Sequence, residues 1–370
     1  MRYLFSISIL LASFYGLANP NITCNNLVDV SHQIQDKIDN NQIAVLSSGT
    51  CIVGSQIILK NGSKIHGSPD GKTVLVNDSV FKPSQGMLFA YSSDKNDWVN
   101  DIVIKDLTIK GGSDYKGFSE HVHLISLHGV SNVIIHNVNF ISFQGDGVYI
   151  GGGIGNEERH NKSIYITSNS FDGVNNSNRN GVSVIDGENI YIINNVFTNV
   201  AKSNMPGAID IEPNLNKFHF VKNVVIGKNK IINSVGYAAI NIWLNDVTMN
   251  TPSMFYIYNN KIFAGGKSRG INFEGNKALS NNSPDNNVII SSNIVRSNTD
   301  ALVLRGVKKF KVEGNIFISK GMSPIILNTS AKNYSLDGEF LNNRFNKNYK
   351  FIFSRYFNVV SEGNCFYCVK

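Results

Sequence analysis

One short phrase recurs along this chain and constrains its fold more than any other feature. It reads apolar-x-apolar, then asparagine, one residue, and an aromatic or aliphatic residue. Ile164-Tyr165-Ile166 leads to Asn169 and Phe171, and Ile190-Tyr191-Ile192 leads to Asn195 and Phe197. The asparagine returns at Asn229, Asn260, Asn293, Asn315 and Asn343, each two residues before Ile231, Ile262, Val295, Phe317 and Phe345. Earlier copies carry Leu107 and Val138 at the same place. Asparagine at a fixed turn position tolerates left-handed backbone and bonds its copy in the next coil, as stacked amides do. The pattern therefore predicts an internal asparagine ladder.

A second phrase follows the first: Gly147-Val-Tyr-Ile, Gly181-Val-Ser-Val, Ala208-Ile-Asp-Ile, Ala239-Ile-Asn-Ile, Gly270-Ile-Asn-Phe and Ala301-Leu-Val-Leu. Its first apolar residues stand at 148, 182, 209, 240, 271 and 302, spacings of 34, 27, 31, 31 and 31. Two strands per repeat at that period, with turns between them, describe the coil of a solenoid. A βαβ fold needs a helical crossover of about a dozen residues, and none is visible. The expected class is all-β, a right-handed parallel β-helix with a short N-terminal capping helix. That helix is read from Val30, Ile34 and Ile38, which recur at helical intervals. Residues 1–18 read as a leader, 19–42 as the N-terminal cap, 43–345 as the β-helix and 346–370 as a C-terminal cap.

Met1 and Arg2 precede an apolar run from Tyr3 to Leu17 that ends at Gly16-Leu17-Ala18. This reads as a secretory signal cut near Ala18, too short for a membrane span, so the mature chain is expected to be secreted or periplasmic. Its loss removes Arg2 and no acid, taking the net charge from +7 to +6. A basic exported protein favours acidic partners. The charge is spread out, with Lys308, Lys309 and Lys311 as its one dense run, which argues against nucleic acid. Cys24 with Cys51, and Cys365 with Cys368, are candidate disulfides near the two ends. A four-cysteine metal site would require those ends to meet.

The segments Ile43-Ala-Val-Leu-Ser-Ser-Gly-Thr, Ser63-Lys-Ile-His-Gly and Ile102-Val-Ile-Lys-Asp-Leu-Thr-Ile-Lys-Gly-Gly resemble the start of many secreted members of the pectin lyase-like superfamily. The likeness runs from about Val30 to Phe345 and implies the β-helix fold. That superfamily mixes lyases, hydrolases, epimerases, phage tailspikes and adhesins, so fold alone leaves the chemistry open. Asn298-Thr299-Asp300 is similar to a polygalacturonase motif, but the next coil reads Met322-Ser-Pro-Ile-Ile with no acid, and the Gly-His-Gly and Arg-Ile-Lys of that family are missing. The Asp-Pro-His-Asp of mannuronan epimerases is missing too.

In the second phrase the apolar residues alternate inward, so the residues between them point out. The outward columns are Tyr149, Ser183, Asp210, Asn241, Asn272 and Val303, and beside them Gly151, Ile185, Glu212, Trp243, Glu274 and Arg305. Asp146, Arg179, Tyr237 and Arg269 stand just before the strands. Acids, arginines and aromatics gathered on one sheet suit a saccharide: acids exchange protons, rings stack on sugar C–H faces, and arginines pair with uronate or sulfate. Coils about 4.8 Å apart and outward neighbours about 6.6 Å apart along a strand place Asp210, Glu212 and Asp146 near the separations of an inverting glycosidase. The candidate catalytic residues are Asp210, Glu212, Asp146 and Arg179. The candidate substrate contacts are Tyr149, Trp243, Asn241, Glu274, Arg269, Arg305 and His123.

The expected function is cleavage of a polysaccharide, acidic by the charge argument, through inverting hydrolysis or β-elimination. No cofactor is required by the sequence, although a lyase would accommodate Ca²⁺. The alternative is a non-catalytic saccharide-binding or adhesive β-helix. Specificity is expected in the loops Gly151–Ser163, Asn175–Arg179, Asn245–Ser253 and Lys277–Asn286.

Overall fold

The computed structural model describes residues 19–77, 85–154, 157–214, 216–244, 253–275, 286–307, 309–321, 325–328, 336–347 and 357–369. The leader, Lys308, Met322 to Pro324, most of the loops Asn245–Ser253 and Lys277–Asn286, and residues 348–356 of the tail lie outside them.

Every strand pairing in the two sheets is parallel, and each strand bonds its counterpart one coil on. Among the described residues, one sheet of ten strands runs from Ile57–Ile58 through Gly86–Tyr91, His123–His128, Val148–Gly151, Val182–Val184, Ile209–Ile211, Ala238–Trp243, Arg269–Glu274 and Leu302–Arg305 to Ile325–Asn328. A long second sheet takes the strands of the asparagine phrase, such as Lys162–Thr167 over Gly187–Ile193 over Val221–Gly227. The alternation read from sequence decides the core. Val148, Ile150, Val182, Val184, Ile209, Ile211, Ile240 and Ile242 are fully buried. Each such aliphatic side chain contributes about 1.5–3 kcal/mol by leaving water. Phe140, Phe171 and Phe197 stack in register at 4.5 and 4.7 Å, a further gain of about 0.5–1.5 kcal/mol per pair.

The asparagine ladder is continuous. The backbone N–H and Nδ2 of Asn195 both donate to Asn229 Oδ1, at 2.9 and 3.1 Å, and Asn229 makes the same pair of bonds to Asn260. Nδ2 also donates to a strand carbonyl, Ile192 O for Asn229, so both ends of each buried amide are satisfied. The ladder runs one step past the seven copies read from sequence, to Asn364, which accepts from Asn343 and stands two residues before Phe366.

The left-handed residue is not the asparagine itself. It is the residue before it: Ser168, Asn194, Lys228, Asn259, Ser292, Gly314, Asn342 and Gly363, all with φ between 52° and 64°. The turn bends there, and this aims the next side chain inward and along the axis, where an amide reaches the following coil.

Helix Ser31–Asp39 covers the N-terminal end, burying Ile34 and Ile38 against the first coils. Cys24 is joined to Cys51 beneath it, and Cys365 to Cys368 at the other end. Strand Phe357–Glu362 extends the long sheet by pairing with Leu336–Leu341. Among the described residues no helix is long and apolar enough to cross a membrane.

Candidate active site

The outward column of the ten-stranded sheet is in register, Ser126 beside Tyr149, Ser183, Asp210, Asn241, Asn272 and Val303. It does not lie open. Ser183, Asp210, Asn272 and Val303 have no exposed surface, and Asn241 keeps 2%. Residues stacked one coil apart shield one another, and the polar ones among them must then pair. Asn272 Nδ2 donates to Asn241 Oδ1 (3.0 Å), and Asn241 Nδ2 donates to Asp210 Oδ1 (2.9 Å). Asn180 Nδ2 donates to Asp210 Oδ2 (3.3 Å) and to Ser183 Oγ (2.9 Å). This is a second amide ladder, and it ends on a carboxyl.

Burial, with the neighbouring charge of Glu212, pushes the Asp210 carboxyl up to about 8, against the opposing pull of Arg179 and Asn241. Glu212 is half-buried and also raised by burial. The expectation that Asp210 faces a groove is therefore corrected: its oxygens are taken by protein amides, and Glu212 is the more open of the pair.

Asp146 is corrected in the same way. It is fully buried, accepting from Arg179 Nη1 (2.9 Å) and from the Asn180 backbone N–H (3.0 Å). Arg179 is held as a guanidinium chiefly by the Asp146 charge, and its Nε donates no hydrogen bond, with Glu120 Oε1 the ion partner at 3.6 Å. The Asp146 backbone N–H donates to His123 Nδ1 (3.0 Å), which leaves Nε2 as the protonated nitrogen of a neutral ring. Burial lowers His123 to about 4, against the Asp146 charge, so its 3.4 Å approach to Asp146 Oδ2 is not an ion pair at neutral pH. Tyr149 stacks on His123 at 4.6 Å, and burial pushes its phenol up to about 12.

These groups border a cavity of about 480 Å³ lined by Glu120, His123, His128, Tyr149, Arg179 and His219, among others. Its size is that of a small-ligand site. His128 donates from Nδ1 to Gly152 O (2.7 Å) and accepts the Ser126 hydroxyl at Nε2 (3.0 Å). The run Gly151-Gly152-Gly153 closes this end. A Cβ on Gly151 would strike the His128 and Tyr149 rings, and one on Gly152 would strike the His219 ring.

The remaining expected contacts form a separate cluster. Glu274 Oε1 accepts from Tyr237 Oη (3.1 Å) and Arg305 Nη1 (3.2 Å), while Arg269 Nε pairs with Asp300 Oδ2 (3.3 Å) and lies over the Tyr237 ring at 4.3 Å. Arg269 and Arg305, expected to bind an anionic sugar, each have a carboxylate one coil away, Asp300 and Glu274. Trp243 is 44% exposed and in register with Glu274. A cavity of about 400 Å³ lies beside Tyr237, Lys267, Arg269 and Asp300. Another hollow, of about 460 Å³, lies on the long sheet around Met254, Phe310 and Lys311; it contains no histidine, and Glu339 there is paired with Lys311. Among the described residues no group of His, Cys, Asp and Glu is arranged to hold a metal ion.

Sequence reading missed Glu120, Ser126, His128 and His219. His128 shares the strand parity of Ser126 and was within reach of the column argument. His219 lies in a turn outside any repeat, and only the triple glycine hinted that something large packs there.

No family model matches the sequence, and no curated protein matches it. Solved structures do. The Dettilon tailspike protein aligns at a TM-score of 0.60 and 15% identity, over 93% of this chain and 65% of that one. The catalytic domain of a GH87 α-1,3-glucanase bound to nigerose aligns at 0.54 and 12%, over 94% and 70%. Tailspike gp49 of Acinetobacter baumannii bacteriophage Fri1, a capsular polysaccharide depolymerase, aligns at 0.51 and 16%, over 94% and 57%. At such identities the likeness speaks for architecture, and with the parallel registers it makes the chain a right-handed parallel β-helix.

Proposed function

We propose that the chain is an exported carbohydrate-active enzyme that cleaves an acidic polysaccharide by β-elimination in the cavity between Glu120, Tyr149, Arg179 and His219. One observation carries this reading. Arg179 lines the cavity with its guanidinium fixed through Nη1 by Asp146, while the two central carboxyls, Asp146 and Asp210, are enclosed by protein donors. Elimination from a uronate needs a cation to hold the sugar carboxylate as charge builds on it, and a base beside the adjacent C–H. It does not need two open carboxyls. Inverting hydrolysis does, about 6.5–9.5 Å apart with a water between them. The net positive charge of the chain supports an acidic substrate. Two of the similar structures are a glucanase catalytic domain and a capsular polysaccharide depolymerase, which supports a polysaccharide as the ligand class.

A second reading, hydrolysis with Glu212 as general acid, is favoured by the burial that raises Glu212. The two separate on one assay. Acidic and neutral polysaccharides are incubated with the protein, with calcium or with a chelator, and both reducing ends and the ultraviolet absorbance of an unsaturated uronate are followed. Both signals together support elimination, and reducing ends alone support hydrolysis. Retained binding with neither signal would make the protein a saccharide-binding β-helix.

A further inference from the structure

The three buried histidines of the cavity differ in what their ring nitrogens already do. His123 Nδ1 is occupied by the Asp146 N–H, and both nitrogens of His128 are occupied, by Ser126 and Gly152. His219 is the exception among these three. Its residue is 5% exposed, its ring lines the cavity, and neither Nδ1 nor Nε2 has a hydrogen-bond partner. A buried polar group left unpaired in a native fold calls for a cause, and an absent ligand is one.

The ring is not loose. The His219 N–H donates to Asn216 O (3.0 Å), and the next residue, Phe220, donates its N–H to the buried Asp186 (3.0 Å). His160, which pairs with Asp186 at 3.1 Å, also packs on the Phe220 ring at 4.6 Å. Gly152 makes the room: with a side chain there, the His219 ring would be pushed out of its place. The turn thus holds an imidazole in the cavity wall, its two nitrogens buried and without a protein partner.

We propose that His219 is the proton-transfer residue of this cavity, acting on a uronate whose carboxylate rests against Arg179. This rests on the elimination reading above and names its base. One ring nitrogen takes the proton from the carbon next to the carboxylate. The C–H electron pair becomes the new C=C bond to the neighbouring ring carbon, whose bond to the glycosidic oxygen breaks with both electrons leaving on oxygen. That oxygen takes the proton back from the imidazolium. The products are a chain with a new reducing end and a chain ending in an unsaturated uronate, and no oxidant or water is consumed. Tyr149 is a poor rival, because its phenol is buried beside Asp146 and resists ionisation.

For the test, wild type, His219→Gln, His219→Ala and Gly152→Ala are assayed on alginate, polygalacturonate and hyaluronan by absorbance of the unsaturated product. Wild type is expected to act on at least one of them. His219→Gln should lose about 10²-fold or more in kcat, with KM changed far less. His219→Ala should be partly restored by added imidazole. Gly152→Ala, which keeps the histidine but displaces its ring, should lose kcat in the same direction, and thermal melting separates a folding failure from either effect.

The pH profile gives a further readout. A base must be neutral to act, and burial lowers His219 below the ordinary histidine range, with Asp186 opposing and His160 adding to the effect. Glu120, His121, His123, His128, Tyr149 and Arg179 also line the cavity, and Asp186 and His160 stand behind the His219 turn, so the acid limb is assigned to His219 only if His219→Gln removes it. Near-normal kcat in His219→Gln with an active wild type would overturn the assignment and leave elimination standing. A wild type that forms no unsaturated product on any of the three would overturn the elimination reading and this one with it.

Discussion

Asn241 donates its side-chain amide to Asp210 across 2.9 Å, from the next coil of the helix, and by doing so takes an oxygen that a substrate would otherwise meet. With Asn180 on the other oxygen, Asp210 is the terminus of a buried amide ladder. Its role is thereby tied to stability.

Asp210→Asn should lower stability by about 1–3 kcal/mol, because the new amide sets donor against donor at Asn180 or Asn241. Chemical denaturation measures it. A stability change within error of zero would mean that the carboxyl is not enclosed as described.

The folded Asp210 pKa is raised from 3.8 to about 8, so between those values the folded chain holds a proton that the unfolded chain releases. That contribution is fully present below about pH 4 and fades as pH rises towards 8. Melting temperature measured across that window should fall more steeply in wild type than in Asp210→Asn. Parallel curves would count against the shift.

Asn260→Ala removes the acceptor of both Asn229 donors and the Nδ2 donor to Ile226 O. Stranding buried groups at about 1–3 kcal/mol each predicts a loss of about 3 kcal/mol or more. Unfolding in denaturant is the measurement. Asn287, exposed on a strand of the same long sheet, serves as the control and should tolerate alanine within about 0.5 kcal/mol.

Lys228→Gly and Ser292→Gly should each stabilise the protein by about 1 kcal/mol, since both residues sit at φ 57° and a side chain there is strained. The converse change, Gly314→Ala at φ 64°, should destabilise by a similar amount. Opposite signs in denaturant midpoints would refute the account of the turn.

Replacing Cys24 and Cys51 together with alanine opens a link of sequence separation 27 and should cost about 3–4 kcal/mol. Melting with and without reductant reads this out, and wild type under reductant should approach the variant.

Much of this protein was legible in its sequence because its structure is repetitive. Alternation every two residues decides which side chains enter the core, and a period near 31 decides that coils stack, so Val182 over Val148 and Asn195 beside Asn169 follow from local chemistry alone. Even the eighth ladder residue, Asn364, carries the repeat's signature in Phe366 two positions later.

The site was legible only as a column of residue types. Alternation tells that Asp210 points away from the core, but its accessibility depends on Asn180 and Asn241 from adjacent coils, and that is a matter of packing between segments about thirty residues apart. Arg269 and Arg305 looked available for the same reason, until Asp300 and Glu274 proved to lie beside them. His219 belongs to no repeat at all. It reaches the cavity because Asp186 anchors its turn and Gly152 leaves room for its ring, two contacts that no periodicity encodes and that exist only once the coils are stacked.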